Sequence, residues 1–201
     1  MTLSGPASAI AHTQRWLEDV VIGLALCPFA AAPAHAGRIV YVVCEETPAE
    51  AVYQCFLQTL EDFVVADAAQ HETALLIITK GLADFAEYLD MLALAEQAVG
   101  EAGLTGVIQL ASFHPDYRFA GARADDPANF TNRSPYPMFH LIREDRLEAA
   151  LASYRLDASL VGYQHLERIP DRIVRRLRAL GLEGIRALHR QVFGPNDREP
   201  G

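Results

Sequence analysis

The residues best suited to chemistry are concentrated between positions 112 and 144. His114 carries an imidazole that exchanges a proton near neutral pH. Arg118 and Arg133 carry planar guanidinium groups, which suit a carboxylate or a phosphate. The segment holds further side chains that could contact a ligand: Asp116, Tyr117, Asn132, Ser134, Tyr136, His140, Arg143 and Glu144. We therefore predict a site here, with His114 and Arg133 as catalytic residues and the others, including Arg118, as ligand-binding residues.

Cys27 is a further predicted catalytic residue, and two environments for it remain open. At the C-terminus of the preceding apolar run, the helix dipole raises the pKa of the thiol and makes it less reactive. If Pro28 instead opens a new helix, Cys27 lies at that helix's N-terminus and is activated. Cys55 lies among Val52 and Phe56 on a predicted helix and is most simply a core residue.

Several of these residues also have structural interpretations. His114 directly follows a predicted strand, and a histidine at a strand end often binds backbone groups. His140 alternates with Met138 on one strand face, so a hydrogen-bonded core histidine is an equal alternative. Arg143 and Glu144 lie at a strand-to-helix junction and could pair with each other.

Hydrophobic periodicity predicts the elements that position these residues. The predicted strands are 38–44, 74–79, 106–113 and 138–143, and the predicted helices are 8–26, 49–67, 82–103, 144–156 and about 170–181. Strands that alternate with helices are typical of parallel crossovers. We therefore predict an α/β fold with a mostly parallel four-stranded sheet, flanking helices and a long functional loop between strands three and four. Residues 1–193 form the predicted single domain, and residues 194–201 a flexible tail.

The long loop is predicted to be ordered. Connections above ~15 residues without regular structure are uncommon unless they are functional or disordered. This segment is too aromatic for a solvated linker, since it and its flanks contain Phe113, Tyr117, Phe119, Phe130, Tyr136 and Phe139. Ligands bind beyond the carboxyl ends of parallel strands. The loop begins at the carboxyl end of the third strand, which is therefore the edge where a binding site is expected.

Composition limits the partners and the compartment. The net charge of -9 opposes binding to nucleic acid or to an anionic membrane. Three cysteines without CxxC spacing indicate reduced thiols and a cytoplasmic protein. The apolar run 20–32 is preceded by Glu18 and Asp19 and is broken by Pro28, unlike a signal peptide.

Arginines crowd near the C-terminus, which is typical of a solvated helix face but could also dock an acidic partner. They are Arg168, Arg172, Arg175, Arg176, Arg178, Arg186 and Arg190.

Three segments together resemble a known family. They are residues 26–30 (LCPFA), residues 113–121 (FHPDYRFAG) and residues 132–144, which begin NRSPYP and end HLIRE. They resemble the uncharacterised bacterial domain-of-unknown-function family fourteen-fifteen. That family has no assigned reaction or cofactor, so the resemblance implies only that the three segments act together. Its members commonly carry a polar residue, often Asn, before Leu-Cys-Pro; Ala25 departs from this, which weakens a ligand-binding role for that position.

Three functional hypotheses follow, and none of them specifies a cofactor. The first is an enzyme acting on a small anionic molecule, with His114 as acid or base and Cys27 nearby as nucleophile. The second is a metal site built from Cys27, His114 and His140, with Asp116 as a further ligand. The third is a non-catalytic module that binds a metabolite or a partner. The fold alone cannot separate them.

Overall fold

The computed structural model describes residues 5–160 and 169–193, which form one four-stranded sheet with helices on both faces. The strands are β1 (Ile39–Cys44), β2 (Thr73–Ile78), β3 (Ile108–Phe113) and β4 (Met138–Arg143). The α-helices are α1 (Pro6–Trp16), α2 (Ala31–His35), α3 (Ala49–Val65), α4 (Phe85–Glu101), α5 (Glu144–Leu160) and α6 (Ile169–Phe193). A π-helical segment (Leu17–Ile22) continues α1, and a 3-10 segment (Pro127–Thr131) lies in the loop before β4. The predicted strands are confirmed, with ends shifted by at most two residues.

The sheet is mixed, so the prediction of a mostly parallel sheet is wrong. Its order is β1-β2-β4-β3. Only β1 and β2 pair in parallel, whereas β4 pairs antiparallel with both β2 and β3. The helical crossovers do turn β1, β2 and β3 in the same direction. The long loop, however, returns the chain as a reversed strand that inserts between β2 and β3.

Each face of the sheet has its own core. On one face α3 and α4 bury Phe56 and Tyr88 against Leu76 and Phe139. On the other face α1, the π-helical segment and α6 pack together; that cluster includes Trp16, Leu75, Ile77, Met138 and Leu177. All six residues of β2 are buried, as expected for a central strand covered on both sides.

The predicted helix 8–26 is divided in the structure. Standard α-helix ends at Trp16, and the chain continues as the π-helical segment to Ile22. A turn then closes the helix with hydrogen bonds from Leu26 N to Val21 O at 2.8 Å and from Ala25 N to Ile22 O at 2.8 Å. This is the pattern of a Schellman cap, whose C′ residue adopts a left-handed conformation. Here that residue is Ala25, with a φ of 50°.

The last helix extends beyond its predicted end. Gly181 was the predicted stop, and its φ of 68° and ψ of 165° do break the helical path, but α6 resumes and ends at Phe193. The predicted tail 194–201 lies outside the described residues. No helix in the described ranges combines the length and apolar character that a membrane crossing requires.

Candidate functional site

The loop 114–137 lies at the edge where β1, β2 and β3 end and β4 begins, because β4 is antiparallel to its neighbours. Phe113 therefore pairs with Met138 across the base of the loop. Asn132 closes this base, since its Nδ2 donates to Ser112 O at 2.9 Å and its carbonyl accepts from His114 N at 3.1 Å. The start and the end of the loop therefore lie close together.

His114 is fully buried, and both of its ring nitrogens bind backbone groups. Nδ1 accepts from Asp116 N at 3.0 Å, so the proton is on Nε2, which donates to Leu82 O at 3.1 Å. The ring packs between Phe85 and Tyr88, with 5.1 Å between centroids in each pair. Burial lowers the pKa of His114. The neutral imidazole thus ties the loop to the segment that connects β2 and α4.

Leu82, the backbone partner of His114, has an unusual conformation. Its φ is 55°, in the left-handed region that costs a non-glycine residue roughly 1–2 kcal/mol. The side chain is buried, and the carbonyl accepts the imidazole proton. The preceding Gly81 permits close approach of two loops, because a Cβ there would lie 2.9 Å from Glu46 O. These contacts together hold the strained residue in place.

Arg133 is buried and joins three parts of the loop region. Its Nε donates to Tyr117 O at 3.3 Å and its Nη2 to Ala124 O at 3.0 Å. The guanidinium lies 4.4 Å from the centroid of the Phe130 ring. The backbone carbonyl of Arg133 accepts a hydrogen bond from Trp16 Nε1 at 3.1 Å, which connects the loop to α1.

Arg143 and Glu144 lie at the opposite edge of the sheet from the loop, since β4 runs away from it. The guanidinium of Arg143 donates to the carbonyls of His71 at 3.1 Å, Phe63 at 2.5 Å and Ala66 at 3.0 Å. It therefore caps the end of α3. The structure does not bring Arg143 or Glu144 to the loop.

His140 lies in the middle of β4, opposite Leu75 and Ala111. Thr73 donates its hydroxyl proton to Leu141 O at 2.8 Å, so its Oγ accepts from His140 Nε2. Burial lowers the pKa of His140 to about 4. The interpretation as a hydrogen-bonded core histidine fits this arrangement.

The other predicted loop residues divide into exposed and packed ones. Asp116 and Arg118 are exposed. The ring of Tyr117 contacts Phe85, and its hydroxyl accepts from Ser112 Oγ at 3.4 Å. Ser134 is buried and donates to the carbonyl of Tyr136 at 2.6 Å.

Asn129 also orders the loop, although sequence analysis did not select it. It is fully buried. Its Nδ2 donates to Arg123 O at 2.8 Å, and its Oδ1 accepts from Phe119 N at 3.1 Å. The aromatic content of the loop predicted that the loop is ordered. No pattern in the sequence indicated that the side chain of Asn129 hydrogen-bonds to both halves of the loop.

Cys27 lies on the other face of the sheet from His114. It packs with the α1-side cluster, whereas His114 packs against α4. Burial is the largest influence on the Cys27 thiol and raises its pKa, and the backbone N–H groups of Phe29 and Ala30 only partly oppose this. The structure thus has features of both alternatives: the sulfur precedes a short helix, and the thiol is not activated.

A narrow crevice lies on this α1 face, between the π-helical segment and α6. Its walls are formed by Trp16, Val20, Leu24, Leu26, Phe130, Arg133, Leu177, Ile185 and Leu188. The space is about 10 Å³, roughly enough for one water molecule. The crevice brings together two of the three segments that carry the family resemblance. Leu26 belongs to the segment 26–30, and Arg133 belongs to the segment 132–144.

His12 and Tyr136 form a pair one helical turn from Trp16. His12 Nδ1 and Tyr136 Oη are 3.1 Å apart, and the rings are stacked with an interplanar angle of 12°. Among the described residues, none hydrogen-bonds to His12 Nε2. Sequence analysis selected Tyr136 but missed His12, because the two are 124 positions apart and no local motif includes His12.

The predicted metal ligands are not gathered in the structure. Within the part of the chain that is described, no group of three or more His, Cys, Asp or Glu side chains could hold one metal ion. Cys27, His114, His140 and Asp116 therefore do not form a shared site in this conformation.

The fold and the crevice define a mixed α/β protein with a small, mainly apolar cleft beside an ordered loop. The chain matches a family described as "Protein of unknown function (DUF1415)" over residues 8–187. It belongs to that family. No curated protein and no solved structure matches the chain.

Proposed function

We propose that the protein is an enzyme that acts on a small anionic molecule with an apolar part, bound in the crevice between the π-helical segment and α6. The composition of the crevice wall carries this proposal, because eight apolar residues and Arg133 line it. Small-molecule sites usually combine a mainly apolar lining with a few polar groups. A guanidinium among them favours a carboxylate or a phosphate.

Two unusual backbone features border the crevice. Val20 lies in the π-helical segment, and π-helical turns occur frequently at functional sites. Leu24 and Leu26 flank Ala25, whose left-handed backbone is uncommon for alanine. Irregular backbone of this kind concentrates at ligand sites, which supports the choice of this crevice.

His12 and Tyr136 are the proposed acid–base pair. A hydroxyl hydrogen-bonded to an imidazole can transfer a proton to or from a bound molecule. His12 lies one helical turn before Trp16, and Tyr136 follows Arg133 by three residues, so each is close in sequence to a residue that lines the crevice. Burial raises the pKa of Cys27, so we assign it to the surroundings of the site and not to nucleophilic attack. His114 is then a positioning residue that holds the loop.

Entry of a ligand requires movement of α6, because the crevice holds only about one water molecule. Leu177 and Ile185 line the crevice on either side of Gly181, where the helical path is broken. Hinges absorb changes in φ and ψ at such points. The segment after Gly181 is therefore the part of the wall proposed to open.

Trp16 allows a direct test, because it is the single tryptophan of the chain and lines the crevice. Its fluorescence would be titrated with hexanoate, phenylacetate and phenyl phosphate, and with the neutral amides of the two carboxylates. We expect a saturable change with at least one anion and an affinity at least about tenfold weaker for its amide. Equal responses to acid and amide, or no saturable response to any probe, would contradict the proposal.

Two variants separate the crevice from the rest of the surface. Val20→Phe places a larger side chain in the crevice and should abolish the fluorescence response. Val65→Phe adds the same ring at a position that is 79% exposed on α3, and it should leave the response unchanged. Equal behaviour of the two variants would place the ligand elsewhere.

Tyr136→Phe tests the proposed chemistry, since it removes the hydroxyl and keeps the ring. For a probe that the wild-type protein converts, followed by NMR over time, we expect unchanged affinity and turnover reduced about 10²–10⁴-fold. Binding without conversion by the wild-type protein would instead favour a non-catalytic binding module.

We further infer a cytoplasmic location, which is supported by three cysteines without a disulfide. The docking proposal for the C-terminal arginines now rests on Arg175, Arg176 and Arg178, which are exposed on α6. Arg178 lies 3.5 Å from Asp126 and so faces the loop. The side chains of Arg168, Arg172, Arg186 and Arg190 lie outside the described residues.

A further inference from the structure

An ion pair joins α6 to the loop beside the crevice. Arg178 Nη2 lies 3.5 Å from Asp126 Oδ2. Arg178 follows Leu177, which is buried and lines the crevice. Asp126 precedes the 3-10 segment, which contains the crevice residue Phe130. The ion pair therefore connects two parts of the crevice wall, one on α6 and one on the loop.

The contact with the loop is the main support of α6. Among the described elements, α6 packs most extensively against the 3-10 segment and less extensively against α1. This contact includes buried apolar residues, since Ile173, Leu177 and Phe130 belong to one core cluster. Gly181 breaks the helical path three residues after Arg178. The ion pair thus lies on the half of α6 that precedes this break.

We propose that the ion pair between Arg178 and Asp126 regulates access to the crevice. While it is formed, it holds the half of α6 before Gly181 against the loop, and the crevice stays closed around Trp16. When it breaks, this half moves together with the segment after Gly181, and the crevice opens more often. The inference rests on the proposed function, because it assigns the regulation of ligand entry to the same crevice.

The exposure of the two side chains suits a reversible contact. The Arg178 side chain is 61% exposed, and that of Asp126 is 25% exposed. Solvent screens such a pair, and pairs of this kind typically change an equilibrium by less than about fivefold. The ion pair therefore changes the fraction of open protein without preventing opening.

Trp16 reports opening without any ligand. It is the single tryptophan of the chain and is 2% exposed, and its Nε1 donates to Arg133 O at 3.1 Å. This indole proton exchanges with deuterated water only when the crevice opens or the protein unfolds. Its exchange rate, followed by NMR, is therefore proportional to the open fraction. Backbone amides of β2, whose six residues are all buried, report global unfolding in the same sample.

Two substitutions remove the ion pair from opposite sides. Arg178→Gln removes the cation. Asp126→Asn removes the anion and keeps an oxygen that can accept from Ala128 N, as Asp126 Oδ1 does at 2.9 Å. We expect each variant to exchange the Trp16 indole proton about twofold to fivefold faster than the wild-type protein. Because the two substitutions change the net charge in opposite directions, a common increase cannot come from a general change in charge.

Arg176→Gln is the matched control, because it makes the same substitution at another exposed position of α6. No described residue forms an ion pair with Arg176, so the exchange rate should stay that of the wild-type protein. Arg178→Lys keeps the charge and should exchange more slowly than Arg178→Gln. In 1 M NaCl, where the Debye length is about 3 Å, the difference between Arg178→Gln and the wild-type protein should shrink.

Three results would overturn the inference. The first is equal exchange rates in Arg178→Gln, Asp126→Asn and the wild-type protein. The second is a wild-type indole proton that exchanges as slowly as the β2 amides, because the crevice would then open only on global unfolding. The third is an equal increase in Arg176→Gln, which would assign the effect to the charge of α6 and not to the ion pair.

A second measurement separates the role of the ion pair from the proposed function. With an anionic probe that binds, stopped-flow fluorescence of Trp16 should show faster association in both Asp126→Asn and Arg178→Gln. If no probe binds, the proposed function fails, and the exchange rates still decide whether the ion pair regulates opening. If a probe binds and the exchange rates do not change, only the role of the ion pair is refuted.

Discussion

The two faces of the sheet use the same residue types in different ways. On the α4 face, His114 is buried, and backbone groups occupy both of its ring nitrogens. On the α1 face, His12 is partly exposed and pairs with the hydroxyl of Tyr136. The α1 face also contains the π-helical segment, whereas α4 is a regular helix. Each face has a left-handed non-glycine residue, Ala25 on the α1 face and Leu82 on the α4 face. The hydrogen-bond partners of a polar side chain, more than its residue type, therefore indicate whether the residue is structural or could be catalytic.

The largest expected effect comes from His114→Ala on the α4 face. The substitution removes a packed ring and leaves Leu82 O and Asp116 N without their partner. We expect the free energy of unfolding to fall by about 3–4 kcal/mol, measured by urea denaturation. His35→Ala, at an exposed position, should change it by less than about 0.5 kcal/mol.

The comparison of the faces would fail if His114→Ala remained as stable as the wild-type protein and yet lost turnover of a converted probe. That outcome would return His114 to the catalytic role predicted from sequence. Loss of stability with turnover preserved in the folded fraction would instead establish it as a positioning residue.

The second effect is a dependence of stability on pH through His140, on the α1 face. Its pKa is about 4 in the folded protein and 6.5 in the unfolded chain. Above pH 6.5 neither state binds the proton, and the stabilising contribution is complete. As the pH falls from 6.5 towards 4, the unfolded chain binds a proton that the folded protein does not, so the free energy of unfolding falls.

Between pH 7.5 and 5 this loss should be about 2 kcal/mol, from roughly 1.4 kcal/mol per unit of pKa shift. His140→Gln replaces the imidazole near Thr73 with a neutral amide and should remove that part of the pH dependence, measured by urea denaturation at each pH. His35→Gln is the matched control and should retain the slope of the wild-type protein. An unchanged slope in His140→Gln would mean that His140 is protonated in the folded state.

The sequence predicted the elements better than their arrangement. The strands and most helices follow from local periodicity, which adjacent residues determine. The position of β4 between β2 and β3 depends on which strand edges remain unpaired after the crossovers have formed, and no local pattern encodes that. The π-helical segment was missed because Trp16, Leu17 and Val21 also fit an ordinary apolar helix face.

The assignment of site residues stays a prediction. The sequence predicted a loop at the carboxyl end of β3, which the structure has, and Arg133 of that loop lines the crevice. It could not reveal that His114 and Arg143 bind backbone carbonyls, because the acceptors lie 32 to 80 positions away. The crevice itself depends on Leu177 and Ile185 of α6, which packs on α1 only in the folded chain.

The third effect concerns Ala25, next to the crevice. At the C′ position of a Schellman cap, glycine or asparagine is usual because the left-handed conformation costs other residues energy. Ala25→Gly should therefore raise the free energy of unfolding by about 0.5–1 kcal/mol. Ala93→Gly is the control on the exposed face of α4, where glycine should lower it by about 1 kcal/mol.

Ala25→Asn is a second test of the helix cap at this position. Asparagine tolerates the left-handed conformation, so it should stabilise the protein without any ligand. An asparagine at this position would then act through the helix cap. If Ala25→Asn left stability unchanged but strengthened the Trp16 fluorescence response to an anion, the amide would be a ligand contact instead.

The smallest expected effect is that of Arg118→Ala, and it distinguishes the exposed loop surface from the crevice. Arg118 is exposed, and no described residue forms an ion pair or hydrogen bond with its side chain. The free energy of unfolding should change by less than about 0.5 kcal/mol. If the ligand binds in the crevice, the affinity measured through Trp16 should also change by less than about twofold. A tenfold loss, corresponding to about 1.4 kcal/mol, would mean that Arg118 contacts the anion and that the site extends over the outer surface of the loop.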